Sequence, residues 1–312
     1  PWAGSRVSGT GCGEVASLRR YPVKSMLGEQ PGEIWAGPGG VLGDRALALV
    51  DADTAMVASA KNPRKWEALL GCRASYSRAP EPGSPLPAVA VLLPDGTVLD
   101  PCAPGSAELI SGVVGRRVEV AARRPPSATI EREWPDVERM APERVLAEAR
   151  AGAARGEPAV TTSHLGGGAG SFVDQGQLHL ITTSALAALA AAHPGGSFDP
   201  ARFRPNLVLS LPGSGGADGS GDAEAGFVED GWLGRRLQIG DDVVIEVVQP
   251  VPRCIVPTLA QPGLSRDVGI LRAVAAEHRV EIPGRGTYAC AGVYADVVRP
   301  GRLRVGDAVA LL

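Results

Sequence analysis

Glycine and proline dominate the punctuation of this chain. The 41 glycines and 27 prolines are more than a fifth of 312 residues, and they fall mostly between short apolar runs. Long helices do not survive that spacing, whereas short strands joined by tight turns require it. The expected fold class is therefore mainly β with a few helices (α+β). The strands expected are Glu14–Arg20, Ala46–Asp51, Ala88–Leu93, Arg117–Ala121, Asn206–Leu211, Leu237–Ile239, Val243–Val248, Ala289–Val298 and Ala308–Leu312. Helical pattern is confined to Trp66–Leu69, Glu108–Val114, Thr183–Ala192 and Gly269–His278. In the third of these Thr183 or Ser184 suits the N-cap and His193-Pro194-Gly195-Gly196 the stop.

Length and charge narrow the partners. A chain of 312 residues is about two domains by the usual ~150 residues each, and the charged, Pro-bearing stretch 122–142 is the expected boundary. Residues 1–13 carry no charged region followed by an apolar run, which reads as a disordered leader and not a secretory signal. Two Gly-rich stretches, 152–170 and 212–226, are expected to be flexible loops. A net charge of −3 gives no global field for nucleic acid or an anionic membrane surface, and no apolar run is long enough to span a bilayer. Five scattered cysteines, none in a CxxC pair, argue against a disulfide framework and against structural zinc. They fit a reducing, cytoplasmic setting.

Three segments carry polar chemistry at expected strand ends. Tyr21-Pro22-Val23-Lys24-Ser25, with Gly43-Asp44-Arg45 some twenty residues later, places an ammonium, a hydroxyl and a forked guanidinium where one anion can meet them. Arg202-Phe203-Arg204-Pro205-Asn206 precedes another strand, with Pro205 holding Arg204 extended. Gln249-Pro250-Val251-Pro252-Arg253-Cys254 presents a thiol beside a cation on a Pro-constrained loop, the setting of a nucleophile or soft-metal ligand. Read singly, Lys24 is as well a solvated loop lysine, Asp44–Arg45 a local ion pair, and Arg202–Asn206 a basic loop. Cys12, Cys72, Cys102 and Cys290 read as small buried hydrophobes.

Taken in order, these segments resemble the MOSC family, named for the C-terminal domain of molybdenum-cofactor sulfurases. The resemblance rests on VASLRRYPVKSMLGE (Val15–Glu29), GVLGDRALALVD (Gly40–Asp51), FVDQGQLHLITTSAL (Phe172–Leu186), RFRPNLVL (Arg202–Leu209), FVEDGWLGRRLQIGD (Phe227–Asp241), VPRCIVPTL (Val251–Leu259) and GVYADVVRPGRLRVGDAV (Gly292–Val309). It implies a MOSC-associated N-terminal β-barrel domain over 14–124 and a β-barrel-like MOSC domain over 125–312. The similar amidoxime-reducing proteins of mitochondria and bacteria bind a molybdenum pyranopterin and reduce N-hydroxylated compounds. The resemblance then implies Cys254 as catalytic molybdenum ligand, with Lys24, Ser25, Arg45, Arg204, Asn206 and Arg253 around phosphate, pterin and dithiolene. The segment Thr182-Thr183-Ser184 departs from the family order of Ser and Ala, which leaves open which of its hydroxyls, if any, reaches the cofactor. Cysteine quartets and a GxGxxG after a strand are absent from the sequence, so electrons are expected from a separate flavin, haem or iron–sulfur protein. The alternative is sulfur transfer, with Cys254 carrying a persulfide and the same cationic pocket holding an anionic substrate, without molybdenum.

Overall fold

The computed structural model describes residues 10–154, 156–166, 170–211 and 226–312. Seven strands close into a barrel: β1 (Thr10–Leu18), β2 (Leu178–Thr182), β3 (Leu207–Ser210), β4 (Arg236–Ile239), β5 (Val243–Pro252), β6 (Gly286–Arg299) and β7 (Ala308–Leu311). The order around the wall is β2-β3-β1-β7-β4-β5-β6, and β6 pairs back onto β2. Closure leaves the barrel without an open edge. Alternate residues fill it: Leu178 and Leu180, Leu207 and Leu209, Leu237 and Ile239, Val243, Ile245 and Val247 are all buried in one cluster.

β1 comes from the far end of the sequence yet sits between β3 and β7, antiparallel to both. Its inward residues Val15 and Leu18 are essentially unexposed. Without it β3 and β7 would each present an unpaired edge. The segment 14–124 thus lends its first strand to the barrel of the later segment. In return Gly301–Arg304 adds to a small sheet with Glu33–Gly37 and Gly40–Val41. Residues 10–13, expected in a leader, are strand; residues 1–9 lie outside the described residues.

Between β1 and β2 the chain forms small sheets around a second core of Val23, Met26, Leu49, Trp66, Leu69 and Ile110. Ala48–Asp51 pairs with Val118–Ala121, and Arg73–Tyr76 with Val89–Leu92. A hairpin of Thr129–Trp134 and Ala159–His164 follows. Its second strand lies inside the stretch expected to be a flexible loop at 152–170; alternating contacts with the first strand order it. Residues 167–169 of that stretch, and 212–225 of the loop expected at 212–226, lie outside the described residues. Helices occupy Ser106–Val114, Thr183–Ala192 and Gly269–Glu277, as expected, and also Glu143–Ala151. The N-cap of Thr183–Ala192 is Thr182, one residue earlier than expected, its Oγ1 accepting from the Ala185 amide at 3.1 Å. No helix among the described residues is long and apolar enough to cross a membrane.

Candidate functional site

Seven expected residues, Lys24, Ser25, Arg45, Arg204, Asn206, Arg253 and Cys254, line one cavity of about 110 Å3 where the barrel mouth meets the small sheets. Backbone hydrogen bonds bring the first three together. The Tyr21 amide donates to Asp44 Oδ1 at 2.8 Å, the Arg45 amide to Tyr21 O at 2.6 Å and the Lys24 amide to Leu47 O at 2.8 Å. The last two sit where β5 ends, after register shifts at Val247/Gln249 and Pro250/Pro252 bend the strand.

The backbone is strained at this place. Among the described residues five non-glycine residues have left-handed φ, and three of them, Ser25 (66°), Arg45 (46°) and Arg204 (57°), line the cavity; Arg204 is thus not extended before Pro205, as expected, because it closes the turn Pro200–Phe203. Each such conformation costs about 1–3 kcal/mol and persists only where its surroundings fix it. Here they do. The Arg204 amide caps the turn Pro200–Phe203 by donating to Pro200 O at 3.0 Å, and its carbonyl lies 3.3 Å from both Arg45 Nη2 and His179 Nδ1.

Arg204 is the unusual group. Its Nη1 and Nη2 are buried with no hydrogen-bond partner, while its guanidinium carbon lies 4.2 Å from the centre of the Tyr21 ring. Arg45 sits over the same ring at 4.5 Å, with Nη1 on Asp44. Burial, and then Arg45, push the Arg204 pKa down to about 10, so it remains a cation at neutral pH. An unpartnered buried cation costs several kcal/mol, a cost that an anion in the cavity would offset.

Lys24 is shared differently. Its Nζ donates to Phe172 O at 2.9 Å and lies 2.5 Å from Asp174 Oδ1, while Lys61 Nζ lies 2.8 Å from Asp174 Oδ2. Burial lowers the Lys24 pKa to about 8 against the pull of Asp174. Burial also raises the Asp174 carboxyl, but Lys24 and Lys61 outweigh it and hold the group well below the usual carboxylate range. The sign follows directly: below about pH 8 Lys24 is charged, and above it the cavity loses a cation while Arg45 and Arg204 keep theirs. Sulfate, which does not itself titrate there, should therefore bind more weakly as pH rises through 8. Calorimetric titration from pH 6 to 10 measures this, and an affinity flat across that range would remove Lys24 from the anion site.

The remaining expected residues are near but committed. Arg253 donates from Nε to Ala291 O (2.9 Å), from Nη1 to Phe203 O (3.0 Å) and from Nη2 to His179 Nε2 (2.7 Å). It shapes the cavity wall and has little left to offer a ligand. His179 is buried, and burial and then Arg253 hold its pKa well below the ordinary value, so it is neutral with Nδ1–H toward Arg204 O. Gly292 permits that packing: a Cβ there would lie 2.9 Å from His179 Nε2 and 2.5 Å from Leu180 O. Asn206 accepts the His179 amide (3.2 Å) and donates to Arg19 O (3.3 Å). Ser25 Oγ accepts the Ala60 amide at 3.0 Å, leaving its hydroxyl proton to donate. Cys254 is partly exposed at the cavity and touches the cluster of Ala60, Leu70 and Leu259.

Three expected residues lie elsewhere. Thr182 caps its helix and donates to Glu229 Oε2 at 2.7 Å, and Ser184 Oγ donates to Gly226 O at 3.0 Å; Thr183 opens the helix. None of the three lines the cavity. Of the other cysteines, Cys72 and Cys290 are buried, Cys12 partly so, and Cys102 is exposed on the turn after Asp100, not a buried hydrophobe. Asp174, Lys61 and His179 shape the site's electrostatics without any local pattern that marks them, whereas Tyr21, which lies under both guanidiniums, opens the first polar segment.

Among the described residues no three His, Cys, Asp or Glu side chains converge on one point. A metal at Cys254 would thus need its other ligands from the group that brings it. A soft cysteine sulfur, an unpartnered guanidinium and an anion cradle suit a metal carried by a phosphorylated, sulfur-bearing cofactor.

Residues 167–310 match the family described as MOSC domain. This segment is a MOSC domain. Three solved structures share the likeness at low identity. The YuaD protein of Bacillus subtilis is 12% identical with a TM-score of 0.41, covering 96% of this chain and 94% of that one. YiiM of Geobacillus stearothermophilus is 17% identical with a TM-score of 0.29, covering 44% of this chain and 54% of that one. YiiM of Escherichia coli is 16% identical with a TM-score of 0.26, with the same coverage. No curated protein matches the sequence. The MOSC domain supplies Asp174, His179, Arg204, Asn206, Arg253 and Cys254, whereas Lys24, Ser25, Arg45 and Lys61 reach the cavity from outside the matched residues.

Proposed function

We propose that this cavity binds a molybdenum pyranopterin, with Cys254 as the protein ligand to the metal, and that the chain is an oxidoreductase acting on N-hydroxylated compounds. The observation that carries the reading is Arg204: two buried, unpartnered N–H edges beside Arg45, in the cavity that Cys254 also borders. Arg204, Arg45, Ser25 and Lys24 would hold the cofactor's phosphate and pterin side, and both guanidiniums lie over the Tyr21 ring. When bound, the cofactor supplies a metal that exchanges two electrons and takes oxygen from nitrogen.

The chain's own residues do the rest. His179, neutral and fixed by Arg253, keeps Arg204 O and hence the Arg204 backbone in its left-handed turn. Lys24 keeps a proton at Nζ beside Asp174 and, with a pKa of about 8, releases and regains it near neutral pH. Reduction of an N–OH to N–H with release of water consumes two electrons and two protons, so a proton store at the cavity wall serves that stoichiometry. Electrons come from a separate donor protein.

The test is turnover. Protein from a host that makes molybdenum cofactor should reduce an N-hydroxylated amidine with reduced viologen as electron source. Cofactor-loaded protein without turnover would refute the oxidoreductase reading. Molybdenum-free protein carrying a cyanide-labile sulfur on Cys254 would replace it with sulfur transfer.

A further inference from the structure

Only three of the 31 basic side chains of this protein are lysines, Lys24, Lys61 and Lys65; the rest are arginines. Two of the three meet at one carboxylate on the cavity wall. Arginine holds an anion as well as lysine does, and Arg45 and Arg204 already stand in the cavity. A guanidinium, however, does not release its proton near neutral pH, whereas a buried ammonium does. Lysine is therefore the basic residue that serves at this wall as a proton donor.

Backbone bonds fix the three side chains. The Phe172 amide donates to Arg45 O at 2.8 Å, which sets the segment carrying Asp174 beside Arg45, and Lys61 O accepts the Glu133 amide at 2.7 Å. Of the three N–H bonds at Lys24 Nζ, one reaches Phe172 O (2.9 Å) and one Asp174 Oδ1 (2.5 Å), and the third is left for the cavity that Lys24 lines. Lys61 Nζ takes the other carboxylate oxygen, Asp174 Oδ2, at 2.8 Å.

One carboxylate thus serves two ammoniums. Were Asp174 paired with Lys24 alone, loss of the Lys24 proton would leave a carboxylate inside the protein without its counter-ion, which is costly. With Lys61 on the second oxygen, Lys24 becomes neutral while Asp174 keeps an ion pair. Arg45, the other cation close to Lys24, also favours the neutral amine. Arg204, Arg253, the neutral His179, Tyr294 and Cys254 complete the titratable and charged groups around the same cavity.

We propose that Lys61 is a positioning residue for the reduction proposed above: by holding half of Asp174 it frees Lys24 to hand its proton to the reacting N–OH group. The turnover part of this rests on the oxidoreductase reading; the coupling of the three side chains does not. N–OH, two electrons and two protons give N–H and water. For one of those protons the Lys24 Nζ–H bond breaks, Nζ keeps the electron pair, and the proton leaves in the water. Solvent returns a proton to Nζ, and the electrons come from the donor protein.

Lysine labelled with 13C at Cε gives three signals in this chain, followed by NMR from pH 6 to 11 on the purified protein without molybdenum and assigned with Lys24→Met, Lys61→Met and Lys65→Met. Lys24 is expected to titrate near pH 8. In Lys61→Met its midpoint should lie about one pH unit higher or more, a tenfold change in the equilibrium. In Lys61→Arg, which keeps the charge, and in Lys65→Met, whose partner is Glu131, it should stay at the parent value. A Lys24 midpoint that Lys61→Met leaves in place, or that Lys65→Met moves as far, overturns the coupling. On molybdenum-loaded enzyme, viologen-driven kcat for an N-hydroxylated amidine should fall as pH rises through the Lys24 midpoint, and this limb should move up in Lys61→Met and return in Lys61→Arg. A limb that ignores the NMR midpoint overturns the proton role of Lys24. A loaded parent without turnover overturns the oxidoreductase reading and the proton transfer with it, and a midpoint that still moves in Lys61→Met then upholds the coupling.

Discussion

Cys254→Ser is expected to abolish reduction of an N-hydroxylated amidine, to less than about a thousandth of the parent rate, while the protein stays folded. Serine is nearly isosteric with cysteine, and Cys254 is a partly exposed neighbour of its apolar cluster, so little packing is lost. Its oxygen is a hard donor with a far higher pKa than a thiol, so near neutral pH it does not replace a thiolate on a soft metal centre. The anion contacts from Arg204, Arg45, Ser25 and Lys24 do not depend on Cys254. The variant should therefore keep much of its pterin, and the parent and variant should unfold at closely similar temperatures. Viologen-driven turnover, pterin content and a thermal melt separate the possibilities. Undiminished turnover would remove Cys254 from the metal, and a collapse of the melting temperature would make its role structural.

Arg202→Ala is expected to have the largest effect on stability, about 3–5 kcal/mol. Arg202 is 1% exposed, and its guanidinium donates to four backbone carbonyls: Ser197 (2.8 Å), Pro257 (3.0 Å), Leu259 (3.2 Å) and Ser265 (2.7 Å). These bonds tie the segment after Cys254 to the turn that presents Arg204. Alanine would leave buried carbonyls without donors, each at a cost of about 1–3 kcal/mol before relaxation. Lysine cannot replace the fork, so Arg202→Lys should recover only part of the loss. Urea denaturation reports the difference. A midpoint unchanged by Arg202→Ala would show that the clasp contributes nothing to the fold.

Arg202 also shows how far a sequence can be read. It stands two residues before Arg204 in the same basic run, and nothing local distinguishes them. Only burial and partners do: one is saturated by carbonyls, the other has unpartnered N–H edges. Strands such as Val243–Val248 and Ala308–Leu312 were legible from their Val- and Ala-rich runs between turns, but the bulged extension of the first to Pro252 was not, because Pro250 and Pro252 read as a loop. Leu178–Thr182 was not, because all five of its residues are buried and its pattern does not alternate. The convergence of Lys24, Arg45, Arg204 and Cys254 followed from motif order alone. The placement of Thr182–Ser184 did not, since a hydroxyl that caps a helix looks, in sequence, like one that meets a ligand. Asp174 gave no signal, because its role depends on Lys24 and Lys61, which lie 150 and 113 positions away and meet only in the fold.

The central claim is that the cavity of Arg204 and Cys254 holds a molybdenum pyranopterin. Its most direct test is the molybdenum and pterin content of the purified protein, per chain, after expression in a host that makes the cofactor, beside an Arg45→Ala/Arg204→Ala variant of confirmed fold. The account predicts close to one molybdenum and one pterin per parent chain, and at least a tenfold loss of both in the variant. Parent protein with neither, or a variant that retains both in full, would contradict it.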